Sequence, residues 1–238
     1  VPGDMPISRL PASIARNTSH SAAVDSSIRV KVRPVIADLA TDAGTAEVAA
    51  ILAEDASIDM LVNNAGISRL GATLDLSRAA LDDMVAVNIT ALTRLAHAAL
   101  PGFVARNRGT IVNIGSVLAF RAPPIASVYS GTKAYVLLFT SGLQEELKDT
   151  AIRVQAVLPA GVATEIYDGT ILPLEQIPAE LVMKVDAMVD AALAGLDRGE
   201  RVTLPSVSDI DLWTRYAAAQ DQLFAASQTG SPAPRYGV

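Results

Sequence analysis

The order of hydrophobic and polar positions divides the chain into short apolar runs separated by longer amphipathic stretches. Ile28 to Asp38 contains two apolar alternations and stops at an acidic residue, the pattern of a strand ending at Asp38. Thr45 to Ala56 has helical spacing, and Ile58 to Val62 is a short apolar strand entering the turn composition Asn63-Asn64-Ala65-Gly66. Ser77 to Asn107 predicts a long amphipathic helical stretch, with two helices meeting near Pro101. Thr110 to Ile114 follows as a strand, Tyr129 to Lys148 as a helix, and Ile152 to Leu158 as a strand closed by Pro159. A loop-like stretch runs to about Pro178. Beyond it the pattern predicts a helix over Ala179 to Leu196, a strand over Arg201 to Leu204 and a last helix over Asp209 to Ala226. Residues 1–27 show no period that predicts an element.

Strands that alternate with helices and are apolar throughout predict a parallel sheet covered on both faces, a doubly wound α/β Rossmann-like domain. With no repeat and no linker composition, residues 1–238 are expected to form one such domain. Ligands of such sheets bind beyond the C-terminal strand ends.

Composition narrows the function. Half of the 238 residues are hydrophobic and 18% are charged, which excludes a disordered chain. The absence of cysteine excludes a disulfide scaffold, a thiolate metal site and a cysteine nucleophile. A formal net charge of −6 argues against nucleic-acid binding. The most apolar stretch, Val85 to Ala105, is interrupted by Asn88, Arg94, His97 and Pro101, so no membrane span is expected. The N-terminus has no signal-peptide pattern, and a cytoplasmic protein is the expectation. His20 and His97 read as incidental, and no metal is expected.

The chemistry gathers at three successive strand ends: Asn63 to Gly66, then Gly115-Ser116, then Pro159-Ala160-Gly161. The helix after the second carries Tyr129 and, four residues on, Lys133. Positions i and i+4 share a helix face, so a phenol and an ammonium are expected side by side. The cation should favour the phenolate and bring its pKa, about 10 in isolation, toward neutrality, where a tyrosine can give or take a proton. Alone this pair is weak evidence. Ser116 precedes Tyr129 by 13 residues, and Asn88 lies in the preceding long helix.

With these segments in this order the chain resembles the short-chain dehydrogenase/reductase family, from about Ile28 to the C-terminus. The matching pieces are Asp38-Leu39, Asn63-Asn64-Ala65-Gly66, Val87-Asn88, Ile114-Gly115-Ser116, Tyr129-Ser130-Gly131-Thr132-Lys133 and Pro159-Ala160-Gly161-Val162-Ala163-Thr164. The resemblance implies an NAD(P)(H)-dependent oxidoreductase acting on a ketone or secondary alcohol. Tyr129 would be its acid and base. Lys133 would lower the pKa of Tyr129 and bind the nicotinamide ribose. Ser116 would hold the substrate oxygen, and Asn88 would support a water relay to Lys133. It further places Asp38 and Leu39 at the adenine, Asn63, Ala65 and Gly66 along the cofactor, and Pro159, Gly161, Val162 and Thr164 at the nicotinamide end. Homodimers or homotetramers are implied through the long helices, and residues 165–180 would cover the substrate. Leu118, Phe120, Ile125, Ile166 and Ile171 are then available to line a hydrophobic pocket.

The front end departs from the family pattern. Members carry a glycine-rich turn that cradles the cofactor pyrophosphate, whereas the only glycine before Asp38 here is Gly3. The stretch before Asp38 is also shorter than the family's by about twenty residues. Either interior residues are missing from the sequence as given, or the chain lacks its phosphate loop. The second alternative points to a non-catalytic binding or regulatory module of the same fold. In the segment Ser13 to Asn17, Arg16 could sit near a ribose 2′-phosphate, which favours NADP(H) over NAD(H).

Overall fold

Four strands align in parallel: β1 (Met60–Asn63), β2 (Gly109–Ile114), β3 (Ile152–Val157) and β6 (Val202–Thr203), in the spatial order β1-β2-β3-β6. The structure is a computed structural model that describes residues 32–168 and 170–238. The residues fall into two compact units, one ending at Pro205 and one running Ser206–Val238. The register is continuous, with Leu61 opposite Ile111 and Ile111 opposite Val154.

These strands are largely apolar, with Asn63, Asn113 and Gln155 as buried polar members, because helices cover both faces, the doubly wound architecture that the sequence pattern predicts. Leu61, Ile111 and Val154 turn to one side, where they meet Leu95, Ala99 and Phe103 of α3 (Leu92–Arg106), Leu143 of α4 (Ser127–Glu146), and Val48 and Leu52 of α1 (Asp42–Glu54). Their neighbours Val112 and Val157 turn the other way, onto Met188, Ala192 and Leu196 of α5 (Val185–Asp197). β1, β2 and β3 therefore use their two-residue period to feed two cores.

Several predicted boundaries shift. The described part of the strand expected to end at Asp38, residues 32–38, has no strand pairing, and Ile36 is 92% exposed. A strand forms only against a partner, and among the described residues β1 is paired on its β2 side alone. Pro101 does not divide the long helical stretch. α2 (Arg78–Val85) passes into a π-turn (Ala86–Ala91) and then into α3, which runs through Pro101 and closes on Asn107 in the left-handed conformation (φ 47°). The interruption thus falls at Asn88, where a π-turn widens the helix.

The helix expected from Ala179 begins only at Val185. Val182–Met183 instead forms β5, parallel to β4 (Gly161–Val162), and the Ala163 N–H donates to Met183 O at 3.0 Å. β-branched Val182, with Met183 beside it, pairs with β4 rather than extending a helix, the strand partner overriding the helix preference of methionine. The expected loop, residues 165–180, contains 3₁₀ turns at Glu165–Tyr167, Leu174–Gln176 and Ala179–Leu181. In the second unit, α6 (Asp211–Ser227) carries Trp213 and Tyr216 with ring centroids 5.5 Å apart. No helix among the described residues is long and apolar enough to cross a membrane.

Candidate active site

The C-terminal ends of β1, β2 and β3 converge on the first turns of α4. Two hydrogen bonds fasten the last two ends together: the Gly115 N–H donates to Val157 O (2.8 Å) and the Val117 N–H to Pro159 O (3.0 Å). Ser116 sits between them, 7% exposed, and its Oγ accepts from the Leu118 N–H at 3.1 Å. That bond leaves the hydroxyl proton of Ser116 free to donate. The turn after it, Val117–Ala119, packs against α4.

Tyr129 and Lys133 share one face of α4, as their spacing requires, and both are buried. The Lys133 Nζ donates to Ile114 O at 2.8 Å and lies 5.7 Å from the centre of the Tyr129 ring. Burial pulls the Lys133 pKa down to about 8. The Tyr129 phenol moves the other way. Loss of solvation raises it, and the Tyr167 phenol raises it further. This corrects the expectation that the ammonium lowers the phenol. Removing the tyrosine from water outweighs a cation that is itself partly desolvated and bound to a carbonyl.

Asn88, 1% exposed, is held by three hydrogen bonds. Its Oδ1 accepts from the Ile67 N–H (2.9 Å), while its Nδ2 donates to Ile67 O (2.9 Å) and to Thr132 Oγ1 (3.0 Å). The Thr132 hydroxyl in turn donates to Tyr129 O at 2.7 Å. Asn88 thereby fastens the turn after β1 to the helix that carries Tyr129 and Lys133. Thr132 stands one residue before Lys133 in the Tyr129–Lys133 segment, and its hydrogen bonds show that it links Asn88 to α4.

Gly66 completes this cluster. A Cβ there would stand 3.4 Å from Lys133 Nζ and 3.5 Å from Asn88 Oδ1, so its bare backbone borders the buried ammonium directly. Asn63, at the end of β1, does not point outward. Its Nδ2 donates to Asn113 Oδ1 (2.9 Å), and the Nδ2 of Asn113 donates to Thr140 Oγ1 on α4 (2.9 Å), all three being buried. Asn113 and Thr140 carry no motif in the sequence and emerge only from this chain of contacts.

The remaining predicted residues are distributed around the strand ends. Ala65 lies in the turn beside Gly66, Gly161 and Val162 form β4, and the Thr164 Oγ1 approaches Val162 O at 3.4 Å. Asp38 and Leu39 are held separately, in the turn into α1. The Asp38 carboxylate accepts from the Ala40 N–H (2.9 Å), and Leu39 packs against the core. Arg16, His20 and the glycine-poor front end, residues 1–27, lie outside the described residues.

A parallel doubly wound sheet with polar side chains gathered at its strand ends is the architecture of dinucleotide-binding α/β proteins. The sequence profile of the short chain dehydrogenase family matches residues 10–171, and the chain belongs to that family. It is similar in structure to a short-chain dehydrogenase from Sphingobium yanoikuyae in complex with NADPH. That likeness has 41% identity and a TM-score of 0.80, covering 83% of this chain and 76% of the other. It is also similar to the bulky-bulky ketone specific alcohol dehydrogenase from Comamonas testosteroni, with 39% identity, a TM-score of 0.77, and 85% and 76% of the two chains covered. The NADP-dependent 3-hydroxy acid dehydrogenase of Schizosaccharomyces pombe is 36% identical over 150 residues, 60% of this chain and 56% of that protein. The chain spans about half the length of the curated relatives it matches.

Proposed function

We propose that the chain is an NAD(P)(H)-dependent oxidoreductase that interconverts a ketone and a secondary alcohol, with NADP(H) as its cofactor. The observation that carries this is the joint burial of Tyr129 and Lys133 beside Ser116, with Lys133 bordered by the bare backbone of Gly66. A cofactor fits these residues. The opening at Gly66 admits a group up to the ammonium, and Asn63, Ala65, Gly66, Lys133, Pro159, Gly161, Val162 and Thr164 surround the strand ends where a nicotinamide riboside would lie. Asp38 and Leu39 are assigned the adenine end. The preference for NADP(H) rests on the solved relative that holds NADPH and on the NADP-dependent curated relative.

When bound, the reduced nicotinamide supplies hydride to the carbonyl carbon. The chain's own residues handle the oxygen. Ser116, its lone pair already engaged by Leu118, donates its proton as a hydrogen bond to the substrate oxygen. Tyr129, kept protonated by burial, delivers a proton to that oxygen as negative charge develops on it. In the reverse direction Tyr129 takes the alcohol proton. Lys133 holds the β2 end against α4 through Ile114 O and keeps a positive charge beside the phenol below a pH of about 8. Exposed Val104 on α3 and Leu138 on α4 suit assembly through these helices into a homodimer or homotetramer.

The competing reading is a binding or regulatory module of the same fold without turnover, favoured by the lack of a glycine-rich turn before Asp38. Titration with NADPH and NADH, followed by nicotinamide fluorescence, separates the two. Binding together with turnover of a ketone supports the enzyme; no binding at millimolar cofactor rejects it.

A further inference from the structure

At the end of α4 away from Tyr129, a cavity of about 270 Å³ lies beside the start of β3. It exists because β6 is short. That strand pairs only with Ala156 and Val157, so among the described residues the stretch 152–155 has no strand along this edge. The Gln144 amide stands in for one. Its Nε2 donates to Val154 O (2.8 Å) and to Arg201 O (2.7 Å), and its Oε1 accepts from Arg201 Nε (3.2 Å). Both amide hydrogens are thereby used, which fixes this wall while leaving the space in front of it open.

The floor of the cavity is apolar: Leu147, Ile152, Val154 and Leu196 line it, and none is more than 9% exposed. The rim carries three cations, Lys148, Arg153 and Arg201. Arg201 is matched by the Glu145 carboxylate at 2.7 Å, and the carboxylate of Glu200 accepts from Thr203 Oγ1 at 2.8 Å. Lys148 and Arg153 are exposed, and among the described residues their side chains make no hydrogen bond and no ion pair. Nor do the two helices that end here need them as caps. The Leu143, Glu145 and Leu147 carbonyls at the end of α4, and those of Ala194, Gly195 and Leu196 at the end of α5, already accept backbone N–H groups. Three cations set against Glu145 and Glu200 leave one positive charge in excess, on a chain whose formal net charge is −6.

We propose that this cavity is a binding site for a small monocarboxylate with an apolar body, its carboxylate held by Lys148 and Arg153 and its hydrocarbon laid on Leu147, Ile152, Val154 and Leu196. A single excess charge matches a monoanion, and the guanidinium of Arg153 offers paired N–H donors to a planar carboxylate. The apolar floor adds burial that a purely inorganic anion cannot use. Gln144 lies fifteen residues beyond Tyr129 on α4, about 22 Å along the helix, so this ligand does not compete with substrate or cofactor at the strand ends. Occupancy of the cavity requires none of the oxidoreductase chemistry proposed above.

The test titrates hexanoate, hexan-1-ol and inorganic phosphate onto the full chain by calorimetry and saturation-transfer NMR. Wild type is compared with the double variant Lys148→Gln/Arg153→Gln and with Arg153→Lys. All three proteins should unfold within about 2 °C of one another, because both positions are exposed. Hexanoate should bind the wild type with a Kd of about 1 mM or below, at least about tenfold tighter than hexan-1-ol or phosphate. The double variant should weaken hexanoate about tenfold or more and leave hexan-1-ol unchanged, and Arg153→Lys, which keeps the charge, should stay within about threefold of the wild type. Hexanoate binding that survives in the double variant places the ligand elsewhere and overturns the assignment. Equal affinity for hexan-1-ol or for phosphate overturns it too, as does the absence of hexanoate binding at about 10 mM.

Discussion

Asn88 and Ile67 are joined by two hydrogen bonds of 2.9 Å, the side-chain amide of one meeting the backbone N–H and C=O of the other like a strand partner. The π-turn at Ala86–Ala91 brings Asn88 to this position, and the contact fixes the turn that begins with Asn63. Asn88→Ala leaves both Ile67 groups and the Thr132 hydroxyl without that partner in a buried place. The expected cost is about 2–4 kcal/mol in urea unfolding, together with weaker cofactor binding. A loss below about 1 kcal/mol would show that the clamp is not structural.

Lys133 makes stability depend on pH. The unfolded side chain keeps its proton up to about 10.5 and the folded one only to about 8. Between these values the unfolded chain binds more protons, so stability rises with pH; below about 8 both states are charged and the full burial penalty stands. Relative to Lys133→Met, the wild type should gain up to about 3 kcal/mol from pH 7 to pH 10, read from urea midpoints at several pH values. Parallel stability profiles for the two proteins would contradict this.

Tyr129, raised by burial, is available as an acid throughout the neutral range and becomes a base only as pH increases. Alcohol oxidation should therefore quicken with rising pH while ketone reduction stays flat or declines, giving a more alkaline optimum for oxidation. Tyr129→Phe should keep cofactor affinity and lose at least about a hundredfold in kcat in both directions. Retained turnover in that variant would remove Tyr129 from the proton transfer.

Gly66→Ala tests the cofactor passage. The new methyl meets Lys133 Nζ at 3.4 Å and Asn88 Oδ1 at 3.5 Å, ordinary contact distances, so the fold should tolerate it within about 1 kcal/mol. The same methyl fills the approach to the ammonium. NADPH binding, followed by fluorescence, should weaken about tenfold or more while thermal unfolding barely moves.

Much of the site was legible because its chemistry is local in sequence. Tyr129 and Lys133 are one helical turn apart, Ser116 follows a strand, and Asn63 to Gly66 is a turn composition, so spacing together with the family resemblance locates them. What remained hidden depends on distant partners. The Ile28–Asp38 alternation reads as a strand, yet pairing, not periodicity, decides whether residues 32–38 become one. Val182 and Met183 read as helix until β4 offers them an edge. The direction of the Tyr129 shift is hidden for a related reason: spacing reveals the neighbouring cation, but not how thoroughly both groups leave water. Asn113 and Thr140 belong to no pattern, and Thr132, although it lies inside the Tyr129–Lys133 segment, shows its role only when hydrogen bonds are followed from Asn88 and Asn63.

The chain of amides and hydroxyl from Asn63 through Asn113 to Thr140 has a consequence for how this protein can diverge. All three are buried, so replacing Asn113 leaves the Asn63 amide without this side-chain partner, while the Thr140 hydroxyl keeps its bond to Val136 O. The three positions form a single heritable unit that crosses the sheet. They should be exchanged together or left alone, and an apolar substitution at Asn113 should be rescued in large part when Asn63 turns apolar with it, because Thr140 retains its bond to Val136 O.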